Sequence, residues 1–182
     1  MIKGVIFDRD GTLIDHVPYL SKVSDVVVIE GVFEALQRLV ASNIQVFIAT
    51  NQSGIGRGFF TEQEYHAVAN YIERLFHSNG IPIQRTYYCP THPRHGIGVY
   101  KCESNDRKPN PGMIQRVMSD FNVKASELVM VGDSAVDIEA AKQAGVLSAL
   151  VRTGVDSPVQ DVMPDFIGDD VWSVVNQFIL RQ

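Results

Sequence analysis

In Gly4-Val5-Ile6-Phe7-Asp8-Arg9-Asp10-Gly11-Thr12 a short β-branched and aromatic run stops abruptly at charged residues. That is the pattern of a buried strand delivering its last residues to the edge of a sheet. Two carboxylates, Asp8 and Asp10, follow two residues apart, and Gly11 gives the backbone freedom to turn. From Gly31, Phe33, Leu36, Leu39 and Val40 recur at helical spacing, and Gln45-Val46-Phe47-Ile48-Ala49 reads as a second buried strand. Strand, helix and strand form a β-α-β unit.

Further along, Thr61-Glu62-Gln63-Glu64 has the form of a capping box ahead of Tyr65, Val68, Ile72, Leu75 and Phe76, and Asn79-Gly80 ends that helix. Thr86 to Cys89 is a third strand, followed by a loop from Pro90 to Pro111 that is long for a compact domain and therefore reads as functional. Pro111-Gly112 opens a helix carrying Met113, Val117, Met118 and Phe121. Leu128 to Val131 is a fourth strand ending at Gly132-Asp133, Val136 to Ala144 a helix stopped by Gly145, and Ser148 to Val151 a fifth strand. The tail offers a short strand at Asp165-Phe166-Ile167 and a helix with Val171, Val174, Val175 and Phe178 inward.

Strands alternating with helices predict an α/β fold in three layers, Rossmann-like, with a mostly parallel central sheet covered on both faces. Ligands of such sheets sit beyond the carboxyl ends of the strands, near a topological switch point. The suspects are therefore Asp8 and Asp10, Thr50 and Asn51, the loop after Cys89, and Asp133 and Asp137.

The 182 residues suit a single domain over 1–182, and 45% hydrophobic with 20% charged residues is a globular composition. A net charge of −5 argues against a nucleic-acid binder. No apolar run approaches the roughly 20 residues that span a bilayer, so no membrane partner is expected. Two cysteines and an N-terminus unlike a signal peptide lead to the expectation of a cytoplasmic protein. The absence of a second apolar stripe on any helix leads to the expectation of a monomer.

Three carboxylates on one rim, Asp8, Asp10 and Asp133, are the ligand type of Mg²⁺, which prefers to share its shell with a substrate phosphate. Read singly, each is as readily a helix cap or turn former; convergence favours the metal. Arg107-Lys108-Pro109 brings positive charge to the long loop, and Thr50-Asn51-Gln52-Ser53-Gly54 brings hydroxyl and amide donors. Alone, these would read as a solvated basic pair and an ordinary turn.

Together the stretches resemble the haloacid dehalogenase (HAD) superfamily, whose phosphatases share a DxDGT motif, a Ser or Thr after strand two, a lysine and a late acidic motif. Here these are Asp8 to Thr12, Thr50, Lys108, and Gly132-Asp133-Ser134-Ala135-Val136-Asp137, in family order over nearly the whole chain. The resemblance implies a two-step phosphoryl transfer with Asp8 as nucleophile and Asp10 as general acid and base. It implies Thr50 and Lys108 on the transferring oxygens, and Mg²⁺ held by Asp8, the Asp10 carbonyl and Asp133. Asp137 would order Lys108 or the Mg²⁺ shell. No large cap domain interrupts the chain.

In detail, Asp-Arg-Asp-Gly-Thr, Thr50 to Gly58, Cys89-Pro90, Arg107 to Met113 and Val151-Arg152-Thr153-Gly154 look like the D-glycero-D-manno-heptose-1,7-bisphosphate 7-phosphatase family. The implied reaction removes the C7 phosphate and leaves the C1 phosphate for nucleotide activation, a step of lipopolysaccharide heptose supply. His16, Tyr19, Asn51, Ser53, Arg107 and Lys108 would line the substrate site, with Arg107 reading the distal phosphate or sugar hydroxyls. The alternatives are a histidinol-phosphate phosphatase, whose family typically carries Asp where Ser53 stands, another small-ester phosphatase, and a non-catalytic phosphosugar-binding protein. Ser134 stands where related enzymes often place a lysine.

The clearest departure concerns structural Zn²⁺. Many relatives hold one in the loop before Arg107, but the corresponding positions here are Thr91, Ser104 and Asp106, leaving only Cys89 in place. The expectation is a loop without zinc; His92 and Cys102, with Cys89, are the residues that could rebuild a site.

Overall fold

The computed structural model describes residues 1–154 and 162–182. Six strands, β1 (Gly4–Phe7), β2 (Gln45–Asn51), β3 (Ile83–Cys89), β4 (Leu128–Gly132), β5 (Leu147–Val151) and β6 (Phe166–Gly168), form one sheet in the order β3-β2-β1-β4-β5-β6. Every pairing is parallel. The order reverses between β1 and β4, so the crevice expected of an open parallel sheet opens beyond Phe7 and Gly132.

Among the described residues six α-helices connect and flank the strands: α1 (Val32–Ala41), α2 (Ser53–Gly56), α3 (Glu62–Ser78), α4 (Gly112–Phe121), α5 (Ala135–Ala144) and α6 (Val171–Gln177). Because side chains alternate along a strand, the central strands β1, β2 and β4 feed two cores. Val5, Phe7, Val46, Ile48, Val129 and Val131 pack with Leu36 and Leu39 of α1, Val68 and Ile72 of α3 and Val174 of α6. Ile6, Phe47, Ala49, Leu128 and Met130 pack on the other side with Met113, Ile114 and Val117 of α4 and Ala140 and Ala141 of α5. This is the three-layer arrangement expected from the alternation of strands and helices. Among the described residues no helix is long and apolar enough to cross a membrane.

The differences from the sequence reading have local causes. β3 begins at Ile83 rather than Thr86, because it is an edge strand whose Gln84 and Arg85 are exposed and whose pairing with β2 runs through the backbone. β2 continues past Ala49 through Thr50 and Asn51, which pair with Tyr88 and Cys89. The four-residue α2 follows at once, too short to show a periodic pattern.

The capping box at α3 forms as its sequence implies. The Glu64 amide donates to Thr61 Oγ1 at 3.1 Å, and the Thr61 amide donates to Glu64 Oε2 at 2.7 Å. Replacing Thr61 with Ala is expected to cost about 1 kcal/mol in chemical denaturation, with the dimensions of the crevice unchanged. A loss below a few tenths would show that the cap contributes nothing to the entry of this helix.

Candidate active site

At the switch point lies an open cavity of about 360 Å³, lined by Asp8 and Asp10 after β1, Thr50 to Gly54 at the end of β2, Lys108, and Asp133, Ser134, Val136 and Asp137 around the start of α5. His16 to Leu20, in the segment between β1 and α1, close one side. Tyr19 sits in the left-handed backbone region at φ 54°, its ring 4.1 Å from that of Phe59 and its hydroxyl accepting from Arg57 Nη1 at 3.1 Å. The segment is therefore held against the turn that follows α2.

Lys108 organises the floor. Its side chain is 3% exposed, and Nζ donates to Asp8 Oδ1 at 2.6 Å, Asp137 Oδ1 at 2.6 Å and the Ala49 carbonyl at 2.8 Å. Three acceptors use its three protons. Asn51 fixes the backbone beneath it, since Asn51 Nδ2 donates to the Lys108 carbonyl at 2.9 Å and the Lys108 amide donates to Asn51 Oδ1 at 3.1 Å. The other Asp137 oxygen accepts from the amide and hydroxyl of Ser134 at 3.1 and 2.6 Å. Asp137 is thus spent on Lys108 and on the entry to α5.

Asp8, Asp133 and Asp137 offer ligand oxygens within 4.8 Å of one another, the one such group of His, Cys, Asp or Glu among the described residues. Asp133 packs against the backbone of Gly11 and Gly154; a Cβ on either would collide with its carboxylate. Burial pushes the Asp8 carboxyl up to about 8 against the pull of Lys108, with Asp137, Asp133 and Asp10 adding to the push. Burial, then Asp137, lifts Asp133 to about 7. Burial opposes charge on Lys108, but Asp137 and Asp8 more than offset it and hold the ammonium above the ordinary lysine value. With one ammonium among three close carboxyls, the donor set fits a small, hard, oxygen-seeking cation.

The residues singled out from the sequence fall as follows. Asp8, Asp10, His16, Tyr19, Thr50, Asn51, Ser53, Lys108 and Asp133 all line the cavity. Arg107 does not: its Nη1 donates to the Thr91 carbonyl at 3.1 Å, turning the guanidinium into the long loop. Cys89, His92 and Cys102 are not gathered as metal ligands among the described residues. Cys89 Sγ is 3.3 Å from Thr91 Oγ1, His92 Nδ1 accepts from the amides of Arg94 and His95, and Cys102 is exposed with Sγ against the Val99 carbonyl. Gln52 was quoted only as one amide donor in the run after β2, and Arg9 only as part of the first motif; the signal for Arg9 was a lone cation set between two carboxylates beyond an apolar strand.

A HAD-hydrolase-like family model matches residues 105–174. A D-glycero-beta-D-manno-heptose-1,7-bisphosphate 7-phosphatase of Vibrio cholerae is 43% identical over 157 residues, 85% of this chain and 84% of that protein. A D-glycero-alpha-D-manno-heptose-1,7-bisphosphate 7-phosphatase of Burkholderia mallei is 38% identical over 149 residues, 82% of this chain and 79% of that protein. Among solved structures, the D,D-heptose 1,7-bisphosphate phosphatase of B. bronchiseptica, complexed with magnesium and phosphate, superposes with a TM-score of 0.84 over 100% of both chains at 28% identity.

The raised Asp133 carboxyl has a consequence for stability. Between its ordinary value of 3.8 and about 7 the folded state keeps a proton that the unfolded chain has released. Without a divalent cation, its contribution to stability therefore falls as pH rises through that window. In chelator, Asp133→Asn is expected to melt close to wild type near pH 4 and progressively higher than wild type toward pH 7 and above. Added Mg²⁺ should raise the melting temperature of wild type at the upper end and leave the variant unmoved. Thermal melts in pH steps check both; a gap independent of pH would contradict the burial of this carboxyl.

Proposed function

The chain belongs to the D-glycero-D-manno-heptose-1,7-bisphosphate 7-phosphatase family of HAD-like hydrolases, and from that premise we propose that it removes the C7 phosphate of a heptose 1,7-bisphosphate through a phosphorylated Asp8. The observation that carries this reading is the meeting of Asp8 with Lys108 Nζ at 2.6 Å, at the switch point that also holds Asp10, Thr50 and Asp133.

In the first step an Asp8 oxygen attacks phosphorus, the bond from phosphorus to the C7 oxygen breaks, and Asp10 gives its proton to that oxygen. In the second, Asp10 takes a proton from water, the water oxygen attacks the same phosphorus, and inorganic phosphate leaves with Asp8 restored. Lys108 keeps the attacking carboxylate in place and offers its charge to the phosphoryl oxygens. Gln52 Nε2 donates to Thr50 Oγ1 at 2.9 Å, which leaves the Thr50 hydroxyl proton for a phosphoryl oxygen.

Asp8 and Asp133 with the Asp10 carbonyl are the groups that would hold Mg²⁺, which when bound offsets the repulsion between nucleophile and substrate. His16, Tyr19 and Ser53, which line the cavity, would meet the sugar. The product keeps its anomeric phosphate, the group to which a nucleotide is joined on activation, and on this reading the enzyme works in the cytoplasm at the supply of lipopolysaccharide heptose. We further propose that it acts as a monomer, as a single domain over 1–182, and without structural zinc.

Phosphate release from heptose 1,7-bisphosphate and histidinol phosphate, measured in parallel with Mg²⁺ and with chelator, tests the reading. Mg²⁺-dependent preference for the heptose ester is expected, and Asp8→Asn should fall below about one-thousandth of wild-type turnover while keeping its fold. Preference for histidinol phosphate would overturn the substrate assignment; near-wild-type turnover by Asp8→Asn would overturn the nucleophile.

A further inference from the structure

Arg9 lies between the two carboxylates of the first motif, and its side chain is 2% exposed. It does not reach for Asp8. Nε donates to Asp10 Oδ2 and Nη2 to Asp10 Oδ1, each at 3.0 Å, a two-pronged fork on the neighbouring residue. The guanidinium carbon stands 5.8 Å from the ring centroid of Tyr65, a buried residue of α3. The third nitrogen, Nη1, is buried without a partner among the described residues.

Burying a guanidinium is costly, and one adjacent carboxylate with an unpaired nitrogen repays that cost poorly, so stability is a weak reason for this arrangement. The fork does something else. A carboxyl on a short side chain rotates about two bonds, and two parallel donors in one plane fix both rotations at once.

A second clamp comes from β2. Gln52 is buried, and its Nε2 donates to Asp10 Oδ2 at 2.9 Å as well as to Thr50 Oγ1. Because Oδ2 already accepts from Arg9 and so carries no proton of its own, the amide nitrogen and not its oxygen must face Asp10. Asp10 Oδ2 therefore carries two donors and Oδ1 one, so Oδ1 keeps the freer lone pairs.

We propose that Arg9 and Gln52 are positioning residues for Asp10, locking its carboxyl plane so that Oδ1 is the oxygen that exchanges protons with the departing C7 oxygen and then with water. This rests on the reading of Asp10 as acid and base. Arg9 and Gln52 both line the cavity, but the donors they bring to it are directed at Asp10, and it is through Asp10 that they act. A group that must serve two oxygens in succession gains from being held, since misplacement by about 1 Å can cost a hundredfold in rate.

The test compares two esters by kcat/KM, which reports the steps through transfer to Asp8. A sugar alkoxide needs Asp10's proton to leave; p-nitrophenolate leaves as a stable anion and does not. The ratio of kcat/KM for p-nitrophenyl phosphate over heptose 1,7-bisphosphate is the readout, because losses common to both esters cancel, including any through Thr50 or through reduced folded protein.

Arg9→Lys keeps the charge and loses the fork; Gln52→Leu keeps the volume and loses both donors. Each is expected to raise the ratio about tenfold or more, with the nitrophenyl ester falling by less than the sugar ester. Gln52→Leu leaves the buried charge pair intact and carries the test if Arg9→Lys folds poorly. Ratios within about twofold of wild type, with both esters falling together, would overturn the proposal. Failure of the wild-type chain to hydrolyse either ester with Mg²⁺ would instead overturn the phosphatase reading and this inference with it.

Discussion

One buried ammonium holds this site together. Lys108 Nζ spends its three protons on Asp8, Asp137 and the Ala49 carbonyl, and so joins the end of β1, the start of α5 and the end of β2. Ions removed from water in this way stabilise a fold weakly at best, and breaking one partner leaves the others unpaired. The rest of the structure is arranged so that this does not happen. The residue arrives on a long loop, and that loop is tied down around it. Asn51 clamps its main chain from both sides, Arg107 donates to Thr91, and Gln143 of α5 donates to the Pro109 carbonyl at 3.0 Å.

The same economy governs the carboxylates. Parallel strands β1 and β4 bring Asp8 and Asp133 to neighbouring positions because Phe7 pairs with Val131. Gly11 and Gly154 let backbone approach where any side chain would displace the Asp133 carboxylate. Placing acids this close in a buried setting holds two of them well above the ordinary aspartate range, a cost that a bound cation relieves. Asp10 is treated differently: it is paired with a buried guanidinium and an amide, and is fixed in orientation. Aspartates lining one cavity thus acquire different environments from their neighbours.

Much of this was legible in the chain. Runs such as Gly4-Val5-Ile6-Phe7 and Leu128-Val129-Met130-Val131 announce strands buried on both faces, and the Thr61 to Glu64 box announces the start of α3. The polar residues beyond β1, β2 and β4 line the cavity, because a parallel sheet sends its carboxyl ends to one edge, while from the long loop after β3 only Lys108 reaches it. Hidden from a linear reading were contacts between distant segments. That Arg107 turns away to Thr91 depends on how the long loop folds, and that Gln52 reaches Asp10 depends on the register of β1 against β2. The early start of β3 left no apolar run to read because Gln84 and Arg85 face solvent. Arg9 was visible as a charge but not as a buried one, since burial of a cation is decided by Tyr65 and Asp10 together.

Turnover by this site hinges on a bond between Asp8 and phosphorus. Asp10→Asn with Mg²⁺ and p-nitrophenyl phosphate isolates it, since that ester can transfer its phosphoryl group without an acid while the following hydrolysis lacks its base. Rapid acid quench, proteolysis and mass spectrometry should find a phosphoryl group on the peptide holding Asp8, accompanied by a burst of nitrophenolate approaching one per chain. Phosphate on another residue, or steady hydrolysis by wild type with no burst and no labelled Asp8 in the variant, would contradict it.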